Sequence, residues 1–201
     1  MLYIRPMSRD IGRLIIMKSQ DIVVLFKLVS LHARKEKEGS KVFGDEDEAL
    51  FSVRSMERYT GISKSQVSLS LNRMYDVGLA KIGSDMGNPK VNKQALLEFV
   101  IYGIRYVFPV KMGNLTRGIP TSFAAPVFKN QLLSAGELIS VWPDAEGTEK
   151  GLSVEPLHKN VRQAIKGDDL MYDYLALTDA IRLEQVRTRK IAIDKLAELM
   201  N

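Results

Sequence analysis

The 201-residue chain contains no cysteine, one tryptophan and two histidines. Without cysteine there are no disulfides, no thiol nucleophiles and no cysteine metal sites, a composition that fits a reducing cytoplasm. His32 and His158 are the only imidazoles, so neither HExxH nor a histidine pair at metal-ligand spacing exists. A GxSxG elbow, a Walker phosphate loop and a GxGxxG after a strand are also missing. His32 reads as a surface or capping residue at the end of an apolar helix, and His158 as a loop residue. The neighbouring carboxylates Asp168 and Asp169 are accounted for by a helix N-terminus, where the dipole favours negative charge. The acidic cluster 45–48 lacks the spacing of a calcium loop. These absences predict a chain that is not an enzyme, with no catalytic residue, cofactor or metal.

A long hydrophobic run is missing too. The longest, residues 96–110 (LLEFVIYGIRYVFPV), carries Glu98 and Arg105 and meets Pro109, so it is too short and too charged to span a bilayer. Residues 1–17 scatter arginines among short apolar groups, without the extended apolar core of a signal peptide. A cytoplasmic protein with no membrane contact is expected, with residues 1–16 as an N-terminal extension ahead of more regular sequence. What charge there is lies unevenly. Residues 1–110 hold 17 Lys and Arg against 12 Asp and Glu, while residues 111–201 hold 12 of each. All of the net charge of +5 therefore falls in the first half, where phosphate neutralisation would use it.

That half contains the most informative stretch, Ser52 to Leu79. Ser52 is placed to cap a short helix, Val53 to Thr60, and Gly61-Ile62-Ser63 forms a tight turn. Ser63 is placed to cap a second helix, Lys64 to Val77, closed by Gly78. In the second helix Val67, Ser70, Leu71 and Met74 share one side at helical spacing and mark the packed face. The opposite face carries Ser65, Leu69, Asn72 and Arg73, with Gln66 at its edge. These are mostly short, polar or basic groups suited to base edges and phosphates. Leu69 is the apolar exception: it either meets a thymine methyl or packs against a neighbouring element. Residues 79–82 then read as a brief strand, 83–89 as a turn and 90–92 as a return strand, with Leu50-Phe51 able to supply a third. Lys81, Asn88, Lys90 and Lys93 would lie near the sugar–phosphate backbone.

Ser52, Val53, Met56, Thr60, Gly61, Ile62, Ser63, Ser65, Val67, Ser68, Ser70, Leu71, Arg73, Met74, Gly78 and Leu79 together match a recurring pattern. It resembles that of bacterial winged helix-turn-helix regulators, the MarR-like kind in particular. The resemblance implies a sequence-specific transcriptional regulator that binds double-stranded DNA. Its DNA-binding set would be Ser63, Lys64, Ser65, Gln66, Ser68, Leu69, Asn72, Arg73, Lys81, Asn88, Lys90 and Lys93. A dimeric repressor is expected, with one 64–77 helix per half-site and the 83–89 wing on the backbone.

Around this stretch, Ser19 would cap a helix from Gln20 to about Lys35 packed behind the pair. Residues 34–41 and 45–48 read as an exposed, charged connection. Asn92 would start a helix to about Val107, its apolar stripe thickened by Phe99, Tyr102 and Tyr106. Residues 111–130 read as an irregular loop or arm, because Gly113, Gly118, Pro120 and Pro126 oppose regular structure. Residues 138–143 and 152–157 read as two strands of a hairpin. Asp168-Asp169 would begin one long helix to about Met200, with Arg182, Arg187, Arg189 and Lys190 as a basic middle that either touches DNA flanks or is solvated.

The expected organisation is thus a mainly α chain with a small β wing (α+β): an extension (1–16), a winged helix-turn-helix domain (17–110) and a partner or dimerisation region (111–201). The runs LTRGIPTSFAAP (115–126), VWPD (141–144) and LALTDAIR (175–182) resemble poorly characterised bacterial proteins with an N-terminal winged helix. That likeness implies an alternative role: an antitoxin-type module that neutralises a partner protein from a neighbouring gene and autoregulates its own operon.

Overall fold

The structure is a computed structural model that describes residues 16–38, 50–84, 87–129 and 138–201. The expected N-terminal extension, save its last residue, and the acidic cluster 45–48 lie outside the described residues. The chain is mixed α and β, mainly helical, with two small sheets. Among the described residues no helix is long and apolar enough to cross a membrane.

Helix α1, Ser19–Glu38, is the centre of the molecule. The Asp21 carboxylate accepts from the Lys18 N–H at 2.8 Å, holding a backbone donor that the first turn cannot satisfy. Every residue from Asp21 to Leu31 is buried. A helix apolar on one stripe buries one face; this one is enclosed because elements from both halves of the chain pack on it.

Helices α2, Val53–Thr60, and α3, Lys64–Asp76, follow as expected. Ser52 caps α2 by accepting from the Ser55 N–H at 3.2 Å, and Gly61 ends it at φ 69°. Thr60 fastens the turn, donating to the Met56 carbonyl and accepting from the Ile62 N–H. Ser63 stands at the start of α3, but its side chain does not cap it. Glu57 accepts from the Lys64 N–H at 3.3 Å instead. Strands β1, Ala80–Ile82, and β2, Pro89–Val91, form an antiparallel hairpin. The third strand expected at Leu50-Phe51 is not formed. Leu50 and Phe51 are buried in a helical turn, where the Phe51 ring stacks on His32 at 4.2 Å.

Helix α4 starts as Lys93–Glu98 with Asn92 as its cap, widens into a π-helical stretch over Phe99–Gly103 and closes as Ile104–Val107. The wider turn, closed by Ile104 N–H to Phe99 C=O, shifts the phase of the helix. Leu96, Leu97, Val100 and Ile104 stay buried, whereas Tyr102 and Tyr106, expected to thicken the stripe, are 73% and 77% exposed.

The second half departs most from expectation. Residues 112–121, read as irregular, form the ten-residue strand β3, Met112–Thr121. The strands β4, Ser140–Pro143, and β5, Glu149–Val154, both pair antiparallel to β3 and run parallel to each other, closing a three-stranded barrel rather than a hairpin. Gly118 pairs with Pro143 on one side and Glu149 on the other, so the chain must cross β3 between them. A side chain at Gly147 would come within 2.3 Å of the Gly118 backbone, and one at Gly118 within 2.1 Å of the Trp142 carbonyl. These glycines permit close backbone approach; they do not break the strand.

A short helix α5, Val161–Ile165, leads to α6, Asp169–Leu183, which Asp168 caps by accepting from the Met171 N–H. The single long helix expected here is broken. Glu184 and Gln185 are extended, at ψ 160° and 172°, and α7, Val186–Met200, doubles back on α6. Ala192, Leu196 and Met200 are buried, and the Tyr174 hydroxyl donates to the Leu199 carbonyl. Arg182, expected in an exposed basic stretch, is 8% exposed. It donates to Asp179 and to the Phe108 carbonyl, while Asp179 accepts from Thr121 and Trp142. Burial raises the Asp179 pKa, and these donors oppose that rise. One side-chain pair thereby fastens α6 to the barrel and to the end of α4.

Candidate nucleic-acid interface

The two faces of α3 divide as their chemistry dictates. Val67, Ser70, Leu71 and Met74 are buried against the body, and Ser65, Ser68, Leu69 and Asn72 are exposed. Leu69, at 43% exposed, points outward and is not absorbed by packing. Ser63 and Lys64 are exposed at the start of the helix. Lys64 lies 3.9 Å from Glu57, a loose surface pair worth little. Gln66 is half-buried and accepts from the Gln20 side chain at 3.2 Å, which fixes its amide at the edge of the face.

Arg73 does not belong to that outward set. Its Nε donates to Asp21 Oδ2 at 2.9 Å and its Nη2 to Asp21 Oδ1. Asp21 is fully buried and also accepts from the Ser70 hydroxyl at 2.7 Å. This hydrogen bonding raises the Arg73 pKa above its ordinary value. A carboxylate taken out of water needs such a set of donors, so this edge of the guanidinium is committed to holding α3 on α1. Spacing placed Arg73 near the outer face; a partner 52 positions away turns it inward.

In the hairpin, Lys81 and Lys90 are exposed and directly opposite each other across β1 and β2. Like charges at opposed positions destabilise a strand pair, so this hairpin carries a repulsion that an anion would relieve. The Gly83 N–H donates to the Asn88 carbonyl at 2.8 Å, and a side chain at Gly83 would meet that carbonyl at 2.7 Å. Asn88 and Lys93 are half-buried; with Lys90 they face a cleft of about 410 Å³ shared with His32 and Phe51 of the body. His32 bonds the Pro89 carbonyl at 2.9 Å, tying the return strand to α1. The expected backbone-facing residues thus split: Lys81 is exposed and stands outside the cleft lining, Lys90 is exposed and borders the cleft, and Asn88 and Lys93 are half-buried in its wall.

Two residues of the second half act on this site without any local sequence signal. Asn160 Nδ2 donates to the Gly61 carbonyl and Gln163 Nε2 to the Arg58 carbonyl, each at 2.8 Å. Helix α5 therefore grips the turn between α2 and α3. A side chain at Gly61 would approach Asn160 Nδ2 to 2.5 Å, so glycine is required by proximity as well as by φ. Arg162, between them, pairs with Asp144 and Glu146 on the crossing that leads into β5. The resulting line of contacts runs from the barrel through α5 to the turn that sets the angle of α3.

Comparisons with protein-family models, with curated proteins and with solved structures found no match for this chain.

Proposed function

We propose that the protein is a winged helix-turn-helix transcriptional regulator that binds double-stranded DNA. In this reading α3 enters the major groove and presents Ser65, Ser68, Leu69 and Asn72 to base edges, with Gln66 at the margin. The β1–β2 hairpin is the wing, and Lys81 and Lys90 contact phosphates. A homodimer acting as a repressor would place one α3 in each half-site, about 34 Å apart, one turn of the duplex.

The observation that carries the proposal is the division of α3. Its inner face is buried and pinned by the Arg73–Asp21 pair, while a short polar face of one helical side stays open to solvent. The opposed pair of lysines and the concentration of positive charge in residues 1–110 support it, because phosphates are the natural counter-charge for both. Leu69 on the open face fits the reading as an apolar contact for a thymine methyl.

The test is selection of duplex sequences from a random pool with the full chain, followed by gel shift of the selected site at rising salt. The expected result is a specific shift whose affinity falls steeply with salt. Enrichment of no sequence would overturn the reading.

A further inference from the structure

One face of α4 carries an exposed row. Glu98, Tyr102 and Tyr106 are exposed, each four residues from the next. In a regular α-helix such positions drift sideways by about 40° per step, at roughly 3.6 residues per turn. The π-helical stretch Phe99–Gly103 holds more residues per turn and removes part of that drift, which keeps the row in line. Such single wide turns are frequent at functional sites. Tyrosine and arginine are also residue types enriched where proteins meet one another.

The two ends of the row are opposite in charge. At one end Glu98 accepts from the Gln94 side chain at 2.8 Å, a neutral donor that leaves its charge unmatched. At the other end the Arg105 guanidinium lies over the Tyr106 ring, 5.7 Å from its centroid. Neither Glu98 nor Arg105 enters an ion pair among the described residues. Position 102 is the midpoint between 98 and 106. A second copy of the row, turned end for end about an axis through Tyr102, therefore sets Glu98 of each copy opposite the Arg105–Tyr106 end of the other. A two-fold contact between identical chains requires this self-complementarity. A row of one sign would repel its own copy.

We propose that this face of α4 is the contact between two copies of the chain, antiparallel about Tyr102, with Glu98 of each copy paired to Arg105 of the other. Helix α4 starts at Lys93, immediately after the hairpin and its cap Asn92, whose N–H donates to the Leu79 carbonyl at 2.9 Å. A contact here ties the two hairpins, and with them the two α3 helices, into one frame. As the contact of the proposed repressor dimer it rests on that reading, whereas self-association through the face is measurable without DNA.

The experiment is sedimentation equilibrium of the full chain in the absence of DNA. The expected result is a monomer–dimer equilibrium with Kd below about 10 µM. Tyr102→Glu places two like charges at the axis and should weaken the dimer at least about tenfold. Glu98→Arg and Arg105→Glu should each weaken it, and the two together should restore it to within about threefold of wild type, because the signs are then exchanged end for end. An unchanged circular dichroism spectrum in each variant separates dissociation from unfolding. A chain that stays monomeric at about 100 µM would overturn the proposal. So would a Tyr102→Glu dimer of wild-type affinity, or a double reversal no tighter than the single ones. A monomer that still selects a duplex sequence would remove this contact and keep the DNA reading. A dimer dissociated by Tyr102→Glu that selects no duplex would keep the contact and lose the regulator reading.

Discussion

Asp21 and Arg73 hold the first helix and the outward-facing helix together through two hydrogen bonds from one guanidinium edge. The carboxylate is fully buried and Arg73 is 16% exposed, so neither partner can be removed without leaving the other poorly matched. Arg73→Ala should therefore cost about 3 kcal/mol of stability, the lower end for breaking a buried pair. Urea unfolding measures this. An unchanged midpoint together with lost DNA binding would return Arg73 to the base-reading set.

Asn72 and Arg73 are neighbours with opposite fates. Asn72→Ala removes an exposed amide and should leave the urea midpoint within about 0.5 kcal/mol of wild type, while weakening the selected duplex by about 1–3 kcal/mol if the amide reads a base. Gel shift on the selected site, compared with one altered at a single position, locates the base concerned. Equal affinity of variant and wild type for every duplex would remove Asn72 from the interface.

Lys81 and Lys90 should behave as phosphate contacts. Replacing either by Ala should lower the slope of log affinity against log salt by about 1, uniformly across sequences. Because the two repel each other across the hairpin, each single substitution should leave the fold as stable or slightly more so. A salt slope identical to wild type in both variants would exclude the hairpin from the DNA contact.

Gly61→Ala meets two obstacles, the positive φ and the side chains of Asn160 and Gln163. The backbone conformation alone should cost about 1 kcal/mol. The clash adds to it, and Asn160→Ala in the same chain should recover part of the loss. Denaturant midpoints of the two single variants and the double variant form the cycle. Strict additivity would show that α5 does not press on the turn.

His158 is half-buried, and burial followed by the nearby Lys159 lowers its pKa below the ordinary 6.5. The unfolded chain then binds the proton more readily than the folded one. The neutral ring contributes stability that is fully present above about pH 6.5 and is lost as pH falls toward the folded value. Stability measured from pH 7.5 to 5 should fall more steeply in the wild type than in His158→Gln. Parallel curves would contradict the assignment.

Local signals made the first half readable. Ser52 and Ser55, Gly61, Gly78 and Asn92 act within a few residues of themselves, so caps and turns fix α2, α3 and the start of α4 directly from the residue order. The barrel was not readable for the opposite reason. Gly118 and Gly147 are glycines because two backbones cross there, and residue order alone cannot separate that need from a loop's. The break at Glu184-Gln185 carries neither glycine nor proline; it is stabilised by the return of α7 onto α6 and by Ser122 bonding Glu184. The outward face of α3 followed from helical spacing, whereas the inward turn of Arg73 depended on Asp21 and the grip on Gly61 on Asn160. Nothing local to Arg73 or Gly61 announces those partners.

Helix α1 is wrapped by elements from both halves along the whole stretch Asp21–Leu31. Under the proposed function this has a consequence for descent. A regulator whose reading unit is a detachable module can acquire a new target by exchanging that unit with another gene. Here an incoming unit would have to supply a surface fitted to α1 and a turn fitted to Asn160 and Gln163. A unit that lacked those fits would lose the Arg73–Asp21 pair and the bonds from Asn160 and Gln163, so a change of target is expected to come more readily by single replacements at Ser65, Ser68, Leu69 and Asn72.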